Sequence, residues 1–198
     1  DGPTIQKSST LALENGMTTE LLFKQLENIR KSVKIPLLIM GYFNPIYQFG
    51  IEVFCKKCNS IGIDGLIIPD LPLKEYQEQY KDIFESNNLK NIFLITPQTS
   101  NQRIREIDAI SNSFIYMVSS ASVTGNSTNF GDKEIQYFKR ISELNLKNQQ
   151  IIGFGINSKE TFNKAIHYQK GAIIGSEFIK YISKNSISKI KYFINNLL

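Results

Sequence analysis

A chain of 198 residues, 41% hydrophobic and 21% charged, has the size and composition of one globular domain with a substantial apolar core. No apolar run approaches the ~20 residues of a membrane-spanning helix, and the opening Asp1-Gly2-Pro3-Thr4 lacks the basic and apolar regions of a secretion signal, so a cytoplasmic protein without membrane contact is expected. The net charge of +5 is carried by lysines interleaved with glutamates and attaches to no nucleic-acid-binding motif, which argues against a nucleic-acid partner.

The first residue is Asp1 rather than Met, so the chain is expected to begin inside a longer reading frame, in a loop leading to a helix. Thr18 suits the cap of a helix whose apolar positions Leu22, Leu26, Ile29 and Val33 keep helical spacing. Pro36-Leu37-Leu38-Ile39-Met40 follows, apolar at every position as a doubly covered parallel strand is. A second helix carries Ile51, Phe54, Cys55, Cys58 and Ile61. A second strand, Gly65 to Ile68, ends at Pro69-Asp70-Leu71-Pro72.

The alternation continues with a polar helix from Lys74 to Ser86, a strand from Ile92 to Ile95, and a helix bearing Ile104, Ile107 and Ile110. A strand from Phe114 to Val118 opens into a Ser-, Thr-, Gly- and Asn-rich stretch, Ser119 to Asp132. Then come a helix from Glu134 to Leu144, a strand from Gln150 to Gly153 and a helix from Lys159 to Tyr168. Ala172-Ile173-Ile174 forms the last strand, with helices near Glu177 and Ile187.

Six strands separated by helices imply βαβ units and a parallel sheet. Such a sheet either stays open or closes into a barrel of eight strands. No G-x-G-x-x-G opens a helix, so the dinucleotide-binding open sheet lacks its fingerprint. Polar and glycine residues collect after most strands, where a barrel keeps its active site, and a typical barrel of about 250 residues exceeds this chain by about two βα units. The expected fold class is therefore α/β, a TIM (β/α)8 barrel lacking its first two strands, in a single domain over residues 1–198 incomplete at its N-terminus.

Cys55 and Cys58 form a C-x-x-C in mid-helix, where neither a redox pair nor a four-ligand zinc site belongs, so they read as small buried apolar groups. His167 is the only histidine and reads as a surface or packing residue; no metal is expected. Gly175-Ser176 stands between the last strand and a helix, where backbone N–H groups can hold an anion. Gly153-Phe154-Gly155-Ile156-Asn157 ends the strand before it, and paired glycine turns after consecutive late strands suggest a phosphate pocket. The stretch from Ser119 to Asp132, which contains Val123-Thr124-Gly125, has the length and composition of a lid.

Asp1-Gly2-Pro3-Thr4-Ile5-Gln6, Asn44-Pro45, Asp64-Gly65 with Pro69-Asp70-Leu71-Pro72, Pro97 and Thr99 in Pro-x-Thr, Tyr116, Val123-Thr124-Gly125, Gly153-Phe154-Gly155-Ile156 and Gly175-Ser176 occur in one order along the whole chain. This series resembles the tryptophan synthase alpha chain family. The resemblance implies a cofactor-free lyase that cleaves indole-3-glycerol phosphate to indole and glyceraldehyde 3-phosphate by a retro-aldol step. It implies Asp1 as the catalytic carboxylate facing the indole N–H. The family's general acid and base, a glutamate, would lie upstream, so the 198-residue chain alone is expected to turn over negligibly.

By the same resemblance Met40, Tyr42, Ile67, Tyr116 and Phe154 line the substrate pocket. Thr124 ties a closed lid to Asp1, and Gly125 serves the lid's turn. Gly155, Gly175 and Ser176 hold the phosphate. Ser122 departs from the family, which often has glycine there, and serine tolerates positive φ poorly. The implied partner is a pyridoxal-phosphate-dependent beta chain in an α2β2 tetramer, with Asn44, Pro45 and Pro72 on loops facing it. Two other readings are a non-catalytic subunit that binds a phosphate ligand and regulates a partner, and a different phosphate-binding barrel enzyme sharing only the last two glycine turns.

Overall fold

A computed structural model describes residues 2–119 and 130–197. Helix α1 (Pro3–Glu14) and helix α2 (Thr19–Leu26) precede a single 3-10 turn and strand β1 (Leu38–Met40). Helices α3 (Phe43–Phe49) and α4 (Ile51–Ile61) lead to β2 (Gly65–Ile67). Next come α5 (Leu73–Glu75), a π turn (Tyr76–Tyr80) and α6 (Lys81–Ser86). Strands β3 (Lys90–Ile92) and β4 (Leu94–Ile95) are followed by α7 (Asn101–Ile110), β5 (Ile115–Val118) and α8 (Asp132–Glu143). The chain continues through β6 (Gln150–Gly153), α9 (Lys159–Tyr168), β7 (Gly171–Ile173), α10 (Ser176–Lys184) and α11 (Ile190–Leu197).

The six expected strands are all present, and the third is divided at Phe93 into β3 and β4. Helix α1 has no counterpart in the sequence reading, because Gln6-Lys7-Ser8-Ser9-Thr10 carries no apolar period. Pro3 can open it, since the first helical position has no intrahelical acceptor for an N–H. None of its residues is buried.

The structure divides into two compact units, one comprising Leu13–Phe93 with Ile110–Ser113, the other the remaining described residues. The first unit holds a parallel sheet in the order β1-β2-β3, in register Leu38↔Gly65 and Gly65↔Lys90. Thr18 caps α2 as expected, its Oγ accepting the Leu21 N–H at 3.1 Å. Helix α4 buries Ile51, Phe54, Cys55 and Cys58, spaced i, i+3, i+4 and i+7. Phe54 meets Phe23 and Phe49 edge-on, with centroids 5.1 and 6.0 Å away. Burying one such ring contributes about 1.5–3 kcal/mol.

Two expectations are corrected here. β1 is not covered on both faces: it is the outer strand of its sheet among the described residues, and Leu38 and Met40 stay 36% and 46% exposed. Asn44 and Pro45 lie in the first turn of α3 rather than in a loop, because proline forfeits no intrahelical bond that early.

The second unit holds a parallel sheet in the order β4-β5-β6-β7. Helix α8 buries Tyr137, Phe138 and Ile141. From the same helix Arg140 donates to Pro97 O at 3.0 Å, Thr99 O at 3.1 Å and Asn101 Oδ1 at 2.6 Å, which fixes the Pro-x-Thr turn after β4. Ser158 and Thr161 cap α9 reciprocally, each side-chain oxygen accepting the other's backbone N–H at 3.2 and 3.0 Å.

Burial pushes the Cys55 thiol up to about 12, and the Cys58 thiol likewise with a further push from Cys55. Burial also raises Tyr76 and Tyr116 to about 12. These groups fold as neutral acids, whereas the unfolded chain ionises them near pH 9–10. Their contribution is complete below about pH 9 and is lost as pH rises from there toward 12, at most about 1.4 kcal/mol per pH unit for each group. Urea melts between pH 8 and 11 are expected to show that decline, and Cys55→Ala/Cys58→Ala to make it shallower. An equally steep decline in the double variant would refute the assignment to the thiols.

Candidate active site

The second unit places a sharp turn at the end of β6. Phe154 adopts φ +68° and Gly155 φ +71°, two left-handed residues in succession. This costs glycine little and phenylalanine about 1–2 kcal/mol. Gly153 itself leaves no space for a side chain, because a Cβ there would fall within the ring of Tyr116. Tyr116 is 4% exposed, and its ring meets that of Phe154 edge-on with centroids 6.3 Å apart. Its raised pKa keeps the phenol neutral at physiological pH.

β7 pairs with β6 in register Gly153↔Ile173, so the turn at Gly155 and the Gly175-Ser176 step end neighbouring parallel strands. Gly155 and Gly175 are both exposed. Ser176 opens α10, whose first N–H groups lack intrahelical acceptors and sit at the positive end of the helix dipole. Glu177 in that first turn would oppose an anion, but Lys180 pairs with it at 2.7 Å. Two backbone turns and a hydroxyl therefore border a place suited to a phosphoryl group.

The first unit gathers the remaining apolar candidates. Met40 pairs with Ile67 across β1 and β2, and Gly41 N–H donates to Ile67 O at 3.1 Å. Ile67 is 7% exposed, whereas Met40 and Tyr42 stand 46% and 56% exposed. Tyr42 directly precedes α3, whose Phe43 N–H is accepted by Asp70 Oδ1 at 2.9 Å. Asp70→Ala is expected to cost about 1 kcal/mol, the usual cost of losing a helix cap, read as a lower thermal midpoint. An unchanged midpoint would show the cap to be idle.

Of the expected site residues, Tyr116, Phe154, Gly155, Gly175 and Ser176 lie in one unit, and Met40, Tyr42 and Ile67 in the other. Asp1, Thr124, Gly125 and Ser122 lie outside the described residues. Cys55 and Cys58 are fully buried free thiols, and His167 is exposed, each as expected. Among the described residues no cluster of His, Cys, Asp or Glu could hold a metal ion, and no helix is long and apolar enough to cross a membrane.

Three residues were given no supporting role in the sequence reading: Ser119, whose hydroxyl donates to Phe154 O at 2.9 Å, Asp70 and Arg140. Ser119 and Asp70 carried a local signal, as polar residues just past apolar strands.

The profile of the tryptophan synthase alpha chain family matches residues 1–197. The tryptophan synthase alpha chain of Flavobacterium psychrophilum is 68% identical over 197 residues, covering 100% of this chain and 78% of its own. That of Flavobacterium johnsoniae is 66% identical over the same coverage. Among solved structures, a mutant tryptophan synthase alpha-subunit from Pyrococcus furiosus superposes with a TM-score of 0.88 at 27% identity, over 100% of this chain and 80% of that one. An Aquifex aeolicus structure gives 0.86 at 30% identity, over 100% and 74%. The fold class is the expected α/β barrel type, and the chain belongs to the tryptophan synthase alpha chain family.

Proposed function

We propose that this protein is the lyase subunit that cleaves indole-3-glycerol phosphate to indole and glyceraldehyde 3-phosphate. The observation that carries the reading is the family match over residues 1–197. A proton is added to the ring carbon that bears the side chain, leaving positive charge on the indole nitrogen. A base removes the proton of the adjacent side-chain hydroxyl. The carbon–carbon bond breaks, its electron pair neutralises the ring, and the former hydroxyl carbon becomes the aldehyde.

Asp1 accepts the indole N–H and stabilises the charge that develops there. Tyr116 and Phe154 offer the ring an apolar surface; a phenol as buried as Tyr116 stays neutral. Gly155 and Gly175 N–H groups and the Ser176 hydroxyl hold the phosphate. The partner is a pyridoxal-phosphate-dependent beta chain that receives the indole in an α2β2 complex, and the site of action is the cytoplasm.

The test is indole release from indole-3-glycerol phosphate by the protein that carries this chain, with and without the beta chain of the same organism. Indole formation that rises on adding the beta chain is expected. No release in either case, with no binding of indolepropanol phosphate, would overturn the reading.

A further inference from the structure

We infer that Ser119 is a positioning residue that aims the Gly155 N–H at the substrate's phosphate by holding the other end of the same peptide group. The inference rests on the phosphate-binding role proposed for Gly155. Ser119 directly follows β5 and is 1% exposed. Its backbone N–H donates to Gly153 O at 3.0 Å, and its hydroxyl donates to Phe154 O at 2.9 Å. Two consecutive carbonyls of the β6 turn are thus held by one residue of the neighbouring strand.

The effect on Gly155 follows from peptide geometry. The carbonyl of Phe154 and the N–H of Gly155 belong to one planar group, and no described peptide bond is cis. The two dipoles therefore point in opposite directions. A hydroxyl that fixes the carbonyl from the buried side turns the N–H toward the exposed side of Gly155. Without it, the left-handed conformation of Phe154, unfavourable for a residue with a Cβ, loses a partner that holds it in place. The peptide can then rotate, and the donor presented to the phosphate is no longer preorganised. Ser119 also stands 3.6 Å from where a Cβ on Gly155 would lie, and Phe130 3.3 Å, so the turn is backed by side chains on its inner side.

Ser119→Ala in the protein that carries this chain tests this. The probes are indolepropanol phosphate, inorganic phosphate and indole. The variant is expected to bind the two phosphate probes about tenfold more weakly, the worth of one hydrogen bond, with its affinity for indole unchanged. On phosphate titration the Gly155 amide cross-peak is expected to move in the wild type and to lose that response in the variant. Unchanged phosphate affinity in a wild type and variant that both bind would overturn the inference alone. Equal weakening for indole with a lowered melting temperature would also overturn it, since that marks a merely structural role. A wild type that binds neither phosphate probe would overturn the phosphate reading and this inference together.

Discussion

Gly153→Ala is expected to lower the melting temperature by roughly 2–12 °C and to abolish most ligand affinity. Tyr116 and Gly153 lie on the same face of neighbouring strands: Tyr116 pairs with Ile151, and Val118 with Gly153, so the phenol reaches across the diagonal to the glycine. A Cβ at Gly153 falls within that ring, so one of the two must move. The ring has little open space to move into, because Tyr116 is only 4% exposed. Overpacking of this kind costs about 1–3 kcal/mol, which in a chain of this size corresponds to about 2–4 °C per kcal/mol. Any displacement of Tyr116 also disturbs its edge contact with Phe154 and the left-handed turn beyond it. Thermal melts and titration with indolepropanol phosphate check both effects. A variant that melts within 1 °C of the wild type would show that the tyrosine is free to swing aside.

Much of this arrangement was legible in the sequence, and for identifiable reasons. Fully apolar runs such as Leu66-Ile67-Ile68 and Ile115-Tyr116-Met117 can satisfy their surroundings only as covered strands. Gly153 and Gly155 mark places where the chain must approach another group closely or turn sharply. Cys55 and Cys58 fell on the same helical face as Ile51 and Phe54, which settled them as core. The misreadings also have causes. β1 looks like an interior strand because apolar composition records affinity for burial, and position in the sheet decides whether burial is complete. Helix α1 escaped because nothing in its polar sequence has helical period and none of its residues is buried.

Supporting contacts are a different case. Ser119 to Phe154, Asp70 to Phe43 and Arg140 to Pro97 span 35, 27 and 43 positions. Each joins the end of one βα unit to another, so local pattern holds no trace of it. What they share is a role at strand ends, holding backbone groups of turns that the regular hydrogen-bond ladder no longer reaches.

Gly175→Asp is expected to separate stability from binding. Gly175 has φ −113°, a conformation open to any residue, and a Cβ there meets only Ile5 Cδ1 at an ordinary 3.8 Å. The substitution therefore brings no strain, and its carboxylate sits beside the positive end of α10, a placement worth about 0.3–1 kcal/mol in favour of folding. That carboxylate would stand at the start of α10, beside the N–H groups proposed to hold the phosphate. Two like unit charges about 4 Å apart repel by roughly 4 kcal/mol at an effective dielectric near 20, enough to weaken phosphate-ester binding by at least about 100-fold. Gly175→Asn has nearly the same shape without the charge, so its smaller loss, about tenfold, measures occlusion alone. Melting temperatures within about 2 °C of the wild type accompany both variants, and the affinity for indole stays unchanged. If Gly175→Asp bound the phosphate ester as tightly as the wild type, the anion would have to rest elsewhere; if both variants lost affinity equally, charge would play no part in its recognition there.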